Sequence, residues 1–276
     1  MQCSKGGVKL LADIMLGQYF PGTSFIHLLD PRTKIISTIL FISSIFLADS
    51  YQAYVILAIF IMSIIASAGI PLTMILRSLK PLWIIIVLTL LIHVFTTPGN
   101  IIYKIGPLAA TQEGVRQGLF MTIRLAFLIV VSSLLTFTTS PIALTDGIER
   151  LLNPFKKIGL PAHELAMMMT IALRFIPTLL EETDKIMKAQ MARGADFTSG
   201  NIVRRARNMI PLLVPLFISA FRRADELATA MEARCYRGGH QRTRMKQLQI
   251  TRRDWLAYGI LGIIIAVLVA VRITLR

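Results

Sequence analysis

Apolar residues run almost unbroken through 35–47, 51–70, 82–97, 114–138 and 255–273, with short polar punctuation between them. Each run approaches the ~20 residues needed to cross a hydrocarbon core, so the pattern predicts five transmembrane helices. Asp49 and Ser50 make a tight hairpin between the first two, the first reaching 47 or 48. Trp83 stands where an interfacial aromatic belongs, and 98–113 is a loop outside the bundle. Two further apolar stretches, 165–180 and 209–221, are not counted as spans. The first holds Arg174 and Pro177 and runs into Glu181, Glu182 and Asp184; the second is short and holds Pro211 and Pro215. Both read as amphipathic or buried helices at the inner surface.

Each of these two stretches leads into the same five-residue pattern. The first copy carries Asp184, Ile186, Ala189, Ala192 and Arg193, and the second carries Asp225, Leu227, Ala230, Ala233 and Arg234. At helical spacing Ile186, Ala189 and Arg193 share one face, as do Leu227, Ala230 and Arg234. A small-residue stripe lets another backbone approach closely, and an arginine offers five donors in a planar fork. An arginine before a glycine, as in Arg193 and Gly194, is also an ordinary helix ending. Two copies at one spacing weigh against that explanation standing alone. The second copy has Cys235 where the first has Gly194, with glycines only later at Gly238 and Gly239.

Composition fits a membrane chain: 54% hydrophobic and 16% charged over 276 residues, with a mean hydropathy of +0.65. The net charge of +15 is concentrated between about 150 and 253, which the positive-inside rule places in the cytoplasm. Arg32, Lys34, Arg77 and Lys80 fall on the same side, so the N-terminus is inside and the C-terminus outside. That basic face should meet anionic lipid or an acidic protein. The predicted architecture is an all-α integral membrane protein. It has an N-terminal cytoplasmic segment at 1–34, four transmembrane helices within 35–139, a cytoplasmic coupling platform of amphipathic helices at 140–253, and a last span at 254–276. The short apolar stretch 8–16, broken by Asp13, is read as mature sequence and not as a signal peptide. Cys3 and Cys235 lack metal-ligand spacing, and neither a disulfide framework nor a zinc site is indicated.

Catalytic chemistry is sparse. No Gly-Lys dipeptide occurs, which excludes a Walker A phosphate loop. His163 and Glu164 begin something like a metalloprotease helix, but Met167 occupies the second histidine's place. Glu181, Glu182 and Asp184 lie beside Lys185 and Lys188 and read as a solvated helix face. A competing class remains open, a membrane enzyme acting on lipid or prenyl substrates with a metal held by these acids and by Asp225 and Glu226. A nucleic-acid binder lacks a recognition motif and a stacking surface. Met167, Met168 and Met169 are either core or an adaptable binding surface. Within the spans, His93 and Arg124 are the notable ionisable residues. Arg124 either lines a polar interface or is packed against backbone carbonyls.

The paired tips Ala192, Arg193, Gly194 and Ala233, Arg234, Cys235 resemble the arginine motifs of the transmembrane T component of energy-coupling factor transporters. The resemblance extends to Gly17, Tyr19, Pro21, Gly22, Ser24, His27, Leu29, Asp30, Pro31, Arg32 and Lys34 before the first span. Ala172, Leu173, Arg174, Phe175, Pro177 and Thr178 lead into the first motif, and Ala195, Asp196 and Phe197 continue it. It implies a multi-pass cell-membrane scaffold without an active site. Two cytosolic ABC ATPases would be held through Arg193 and Arg234, with Ala192, Gly194, Ala233 and Cys235 at the contact and Asp184, Ala189, Asp225 and Ala230 supporting the helices. A small substrate-binding S component for a vitamin or other micronutrient would ride on the membrane side, with Met167, Met168 and Met169 a candidate surface for it. The chain itself would need no cofactor, ATP and magnesium being bound by the ATPases. Cys235 in place of glycine leaves open whether the second tip has the same geometry as the first.

Overall fold

The structure, a computed structural model, describes residues 19–105, 108–159, 161–197, 201–236, 238 and 248–274. Cys3, the stretch 8–16, Gly17 and Gly239 lie outside the described residues, together with the expectations attached to them. Among the described residues there are nine α-helices: α1 Pro31–Leu47, α2 Tyr51–Ala68, α3 Leu72–Leu79, α4 Trp83–Thr96, α5 Gln112–Thr138, α6 Pro141–Leu152, α7 Ala162–Ala192, α8 Ile202–Ala233 and α9 Arg252–Thr274. The loop after α4 holds a small antiparallel hairpin, β1 Ile101–Ile105 with β2 Leu108–Thr111, which the apolar pattern did not announce.

The described residues divide into two compact units, 19–147 with 248–274, and 148–238. In the first, α1, α2, α5 and α9 enclose a core around Ile45, Leu57, Phe137, Val131, Ile61 and Leu261. The outside of this unit is apolar as well: Ile59, Ile84, Leu88, Trp255 and Ile263 are all more than half exposed. An interior and exterior of the same polarity suit a solvent of hydrocarbon, where helices satisfy every backbone group internally. Helices α4 and α5 approach most closely through Gly114 and Gly118, one turn apart. A Cβ on Gly114 would stand 2.7 Å from the His93 carbonyl oxygen, so only glycine allows this contact.

The segment before α1 is fixed by its own polar residues. Asp30 caps the helix by accepting from the Arg32 amide at 2.9 Å, and Pro31 occupies the first turn. The Asp30 amide donates to Asp254 Oδ1 at the start of α9 (2.9 Å), and Asp254 Oδ2 accepts from both the amide and the hydroxyl of Thr251. Lys34 donates to the carbonyls of His27 and Thr138. His27 also bonds Ser24 and the Phe20 carbonyl, and a Cβ on Gly22 would meet its ring at 2.9 Å.

Five stretches are long and apolar enough to cross a membrane among the described residues: Tyr51–Ala68, Leu72–Thr96, Gln112–Thr138, Ala162–Ala192 and Arg252–Thr274. The number equals the expected one, but the membership differs. α1 has only 17 residues, whereas the stretch set aside as an inner-surface helix belongs to α7, which has 31. Pro177 removes one backbone bond without ending α7. Pro211 and Pro215 likewise sit inside the 32-residue α8. Each apolar stretch and its arginine tip are therefore one continuous helix, not two in succession.

Candidate functional site

The two arginine tips end their helices in the same way. Arg193 closes α7 with φ −86° and ψ 6°, and Arg234 closes α8 with φ −89° and ψ 12°. Beyond α7, the Gly194 amide donates to the Met191 carbonyl and the Ala195 amide reaches back to Gln190, both at 3.0 Å. Beyond α8, Cys235 donates to Glu232 at 2.8 Å and Tyr236 reaches back to Met231 at 3.0 Å. The six-to-one bond defines a Schellman ending in both.

That ending requires a left-handed residue after the arginine. Gly194 supplies it at φ +89°, and Cys235 supplies it at φ +54°, the one non-glycine with positive φ among the described residues. The question that Cys235 left open for the second tip is answered at the backbone, where both positions are left-handed. The sulfhydryl side chain bears a strain of ~1–2 kcal/mol that glycine would avoid, and the two reverse-turn bonds hold it there.

Ala192, Arg193 and Gly194 are exposed, as are Ala233, Arg234 and Cys235. Ala189 and Ala230, one turn back, are exposed too, so each tip presents the predicted alanine stripe with a cation at its end. Neither guanidinium has a protein partner among the described residues. Each stands at the C-terminal, negative end of a helix more than 30 residues long. The first tip is braced by the Asn208 side-chain amide, which donates to the Asp196 carbonyl.

Contacts between α7 and α8 set the separation of the tips. Gln190 bonds the Pro211 carbonyl, while eight residues earlier Glu182 meets Ser219 and Arg223. The helices run in opposite senses here, so the end of α7 lies beside Pro211 and the end of α8 lies far beyond it. At ~1.5 Å per residue, the stretch from Pro211 to Ala233 puts roughly 33 Å between the two tips.

Glu182 corrects another expectation. It is not part of a solvated face; it is half-buried, accepting from the Ser219 hydroxyl and, at 2.9 Å, from Arg223 Nη2. Asp184 pairs with Lys188 one turn on, and Asp225 is exposed. The two repeated aspartates therefore have different surroundings. Among the described residues no three His, Cys, Asp or Glu side chains gather as a metal site would need. His163 bonds Glu149 at 3.0 Å.

Apolar surface accompanies the tips. Met168 and Met169 are exposed and Met167 is half-buried, so the methionine run divides between packing and surface. A larger stripe on α8 was legible as an apolar stretch but not as a face. Ile210, Leu213, Val214, Phe217, Ile218 and Phe221 recur at helical spacing and are 42–68% exposed. Arg124 turns out to be packed: its guanidinium donates to the Ala48 carbonyl at 3.0 Å and to the Tyr54 hydroxyl at 3.1 Å, 3.5 Å from Asp49. His93 bonds the Thr89 carbonyl within its own helix.

A protein-family model described as CbiQ, cobalt transport protein, matches residues 22–247, which take in the segment before α1 and both tips. A curated relative, the energy-coupling factor transporter transmembrane protein EcfT of Thermosediminibacter oceani, is 62% identical over 254 residues, 92% of this chain and 96% of its own length. The chain belongs to the EcfT family. Other members of similar length include EcfT of Acidaminococcus fermentans, 61% identical over 95% of this chain and 97% of its own, and EcfT of Bacillus subtilis, 51% identical over 89% and 93%. Family membership and the five apolar helices make this a membrane protein.

Proposed function

We propose that the chain is the transmembrane coupling subunit of an energy-coupling factor importer and has no active site of its own. It transmits the motion of two cytosolic ABC ATPases to a small membrane-embedded S component that captures a vitamin or another micronutrient. The observation that carries this reading is the duplicated tip: two exposed arginines on matching Schellman endings, roughly 33 Å apart along α8. One tip docks each ATPase. The arginine fork enters a groove lined with acids or carbonyls, and Ala192, Gly194, Ala189, Ala233 and Ala230 let the partner's surface come close. The αL turn at Cys235 keeps the second tip equivalent to the first, so a substitution there changes side-chain chemistry and not the docking geometry. ATP and magnesium are bound by the ATPases.

The apolar stripe of α8, with Met168 and Met169 on α7, faces the S component in this scheme. ATP-driven closure brings the tips together, α7 and α8 change their mutual angle, and the stripe turns the S component toward the cytosol. Of the acids named for a metal-dependent lipid enzyme, Glu182 bonds Ser219 and Arg223, and no three of them gather among the described residues, which favours the coupling reading over that alternative.

The test is to purify the tagged chain from native membranes in mild detergent and identify what accompanies it by mass spectrometry. P-loop ATPases and a small hydrophobic protein are the expected companions. A chain recovered alone, from membranes shown to contain such ATPases, would overturn the reading.

A further inference from the structure

We propose that the pocket between α1, α2, α5 and α9 binds one alkyl chain of an anionic membrane lipid, with the acidic headgroup seated on Lys34. The pocket holds about 230 Å³ and is partly open. Its polarity is graded along α1. Lys34 and Ser37 stand at one end, beside Thr138 of α5, and Phe41 and Phe60 close the other with ring centroids 5.2 Å apart. From Lys34 to Phe41 the helix rises roughly 10 Å, so the polar and apolar ends are a short chain's length apart.

Two polar groups at the upper end are incompletely used. Lys34 is 7% exposed. Its ammonium donates to the Thr138 carbonyl at 2.8 Å and the His27 carbonyl at 3.1 Å, which leaves the third of its three donors without an acceptor among the described residues. One turn on, the Ser37 hydroxyl is buried and has no partner. Asp254 and Asp30 lie within electrostatic reach of this ammonium, and its spare donor, at the mouth of an apolar slot, is better met by an oxygen of an occupant's headgroup than by hydrocarbon.

The occupant follows from the walls. Helices α2, α5 and α9 are each long and apolar enough to cross a membrane, so the medium outside the opening is lipid. Lys34 sits where the polar segment Asp30, Pro31, Arg32 gives way to the apolar run of α1, the level at which headgroups lie. At the ~30 Å³ that a water-sized group takes in a liquid, the volume admits roughly eight methylene-sized groups, part of one chain and not two. The second acyl chain stays in the bilayer.

The test uses the full chain with its co-purifying partners in nanodiscs. Phosphatidylglycerol carrying a photoactivatable group on one acyl chain is compared with phosphatidylcholine carrying the same group. We expect labelled peptides that contain Phe41 or Phe60, with at least tenfold more label from phosphatidylglycerol. Ser63→Phe, which fills the pocket from an exposed position of α2 and spares the fold, should reduce that label tenfold, and Lys34→Met should do the same. Lys80→Met, at an exposed cation away from the pocket, should leave it unchanged. Equal labelling by the two lipids, or full labelling of Ser63→Phe, would overturn the proposal. So would labelling by a photoactivatable free fatty acid with none by phosphatidylglycerol, which would assign the site to a free carboxylate. None of these readouts depends on the ATPase-docking reading.

Discussion

Cys235 occupies a backbone position that glycine fills in the first tip, and the difference is measurable. Cys235→Gly should stabilise the second tip by about 0.5–1 kcal/mol, the relief of left-handed strain being partly offset by the greater freedom of glycine in the unfolded chain. The Tyr236 amide, held by Met231 at 3.0 Å, should then exchange about two- to fivefold more slowly. Gly194→Ala should do the reverse at Ala195. Unchanged exchange in both would mean that the tips are not held by the Schellman bonds. The stop at Gly194 was legible because glycine after a cation is the commonest way to end a helix. The stop at Cys235 was not, because local propensity favours no left-handed cysteine and only the reverse-turn bonds select it. Arg124 is a parallel case. Sequence placed a charge in a span, but whether it is spent on Ala48 and Tyr54 depends on α1 and α2 reaching it.

Between elements, buried small residues and one ion pair govern the packing. Gly114→Ala should force α4 and α5 apart and cost about 1–3 kcal/mol, because the added Cβ meets the backbone oxygens of His93 and Val94, which cannot swing aside. A lowered melting temperature in detergent would register it, and a melt equal to the parent's would show that the helices can give way there. The Gly114 and Gly118 pair could have been read as a close-contact signal, four residues apart in an apolar helix. For α7 and α8, a double-mutant cycle on Glu182→Gln and Arg223→Gln should give a coupling of about 0.5–1 kcal/mol, since the pair is 25% and 38% exposed. A coupling near zero would remove Glu182 from the contact. Glu182 was misassigned because its neighbours Lys185 and Lys188 explain its charge equally well along one helix. Only the approach of Ser219 and Arg223 from another helix distinguishes the two.

For the molecule as a whole, the all-α membrane fold and the pair of tips were legible, since long apolar runs and a repeated motif are properties of the linear chain. The extent of α7 was less so: Arg174 and Pro177 suggested a short surface helix, whereas they lie inside one continuous helix from Ala162 to Ala192. Asp254 shows what holds the ends of the first unit together. It is fully buried and accepts from Asp30 and twice from Thr251. Asp254→Ala should strand these donors and destabilise that unit by about 2–4 kcal/mol, read as a lower melting temperature and faster proteolysis in the segment before α1. The central claim concerns the tips, and it is tested most directly by the amount of ATPase retained on the purified chain. Arg193→Ala and Arg234→Ala, both at exposed positions that leave the helix endings intact, should each reduce retention, and the double variant should lower it at least tenfold. Retention by the double variant equal to that of the parent chain would contradict the account.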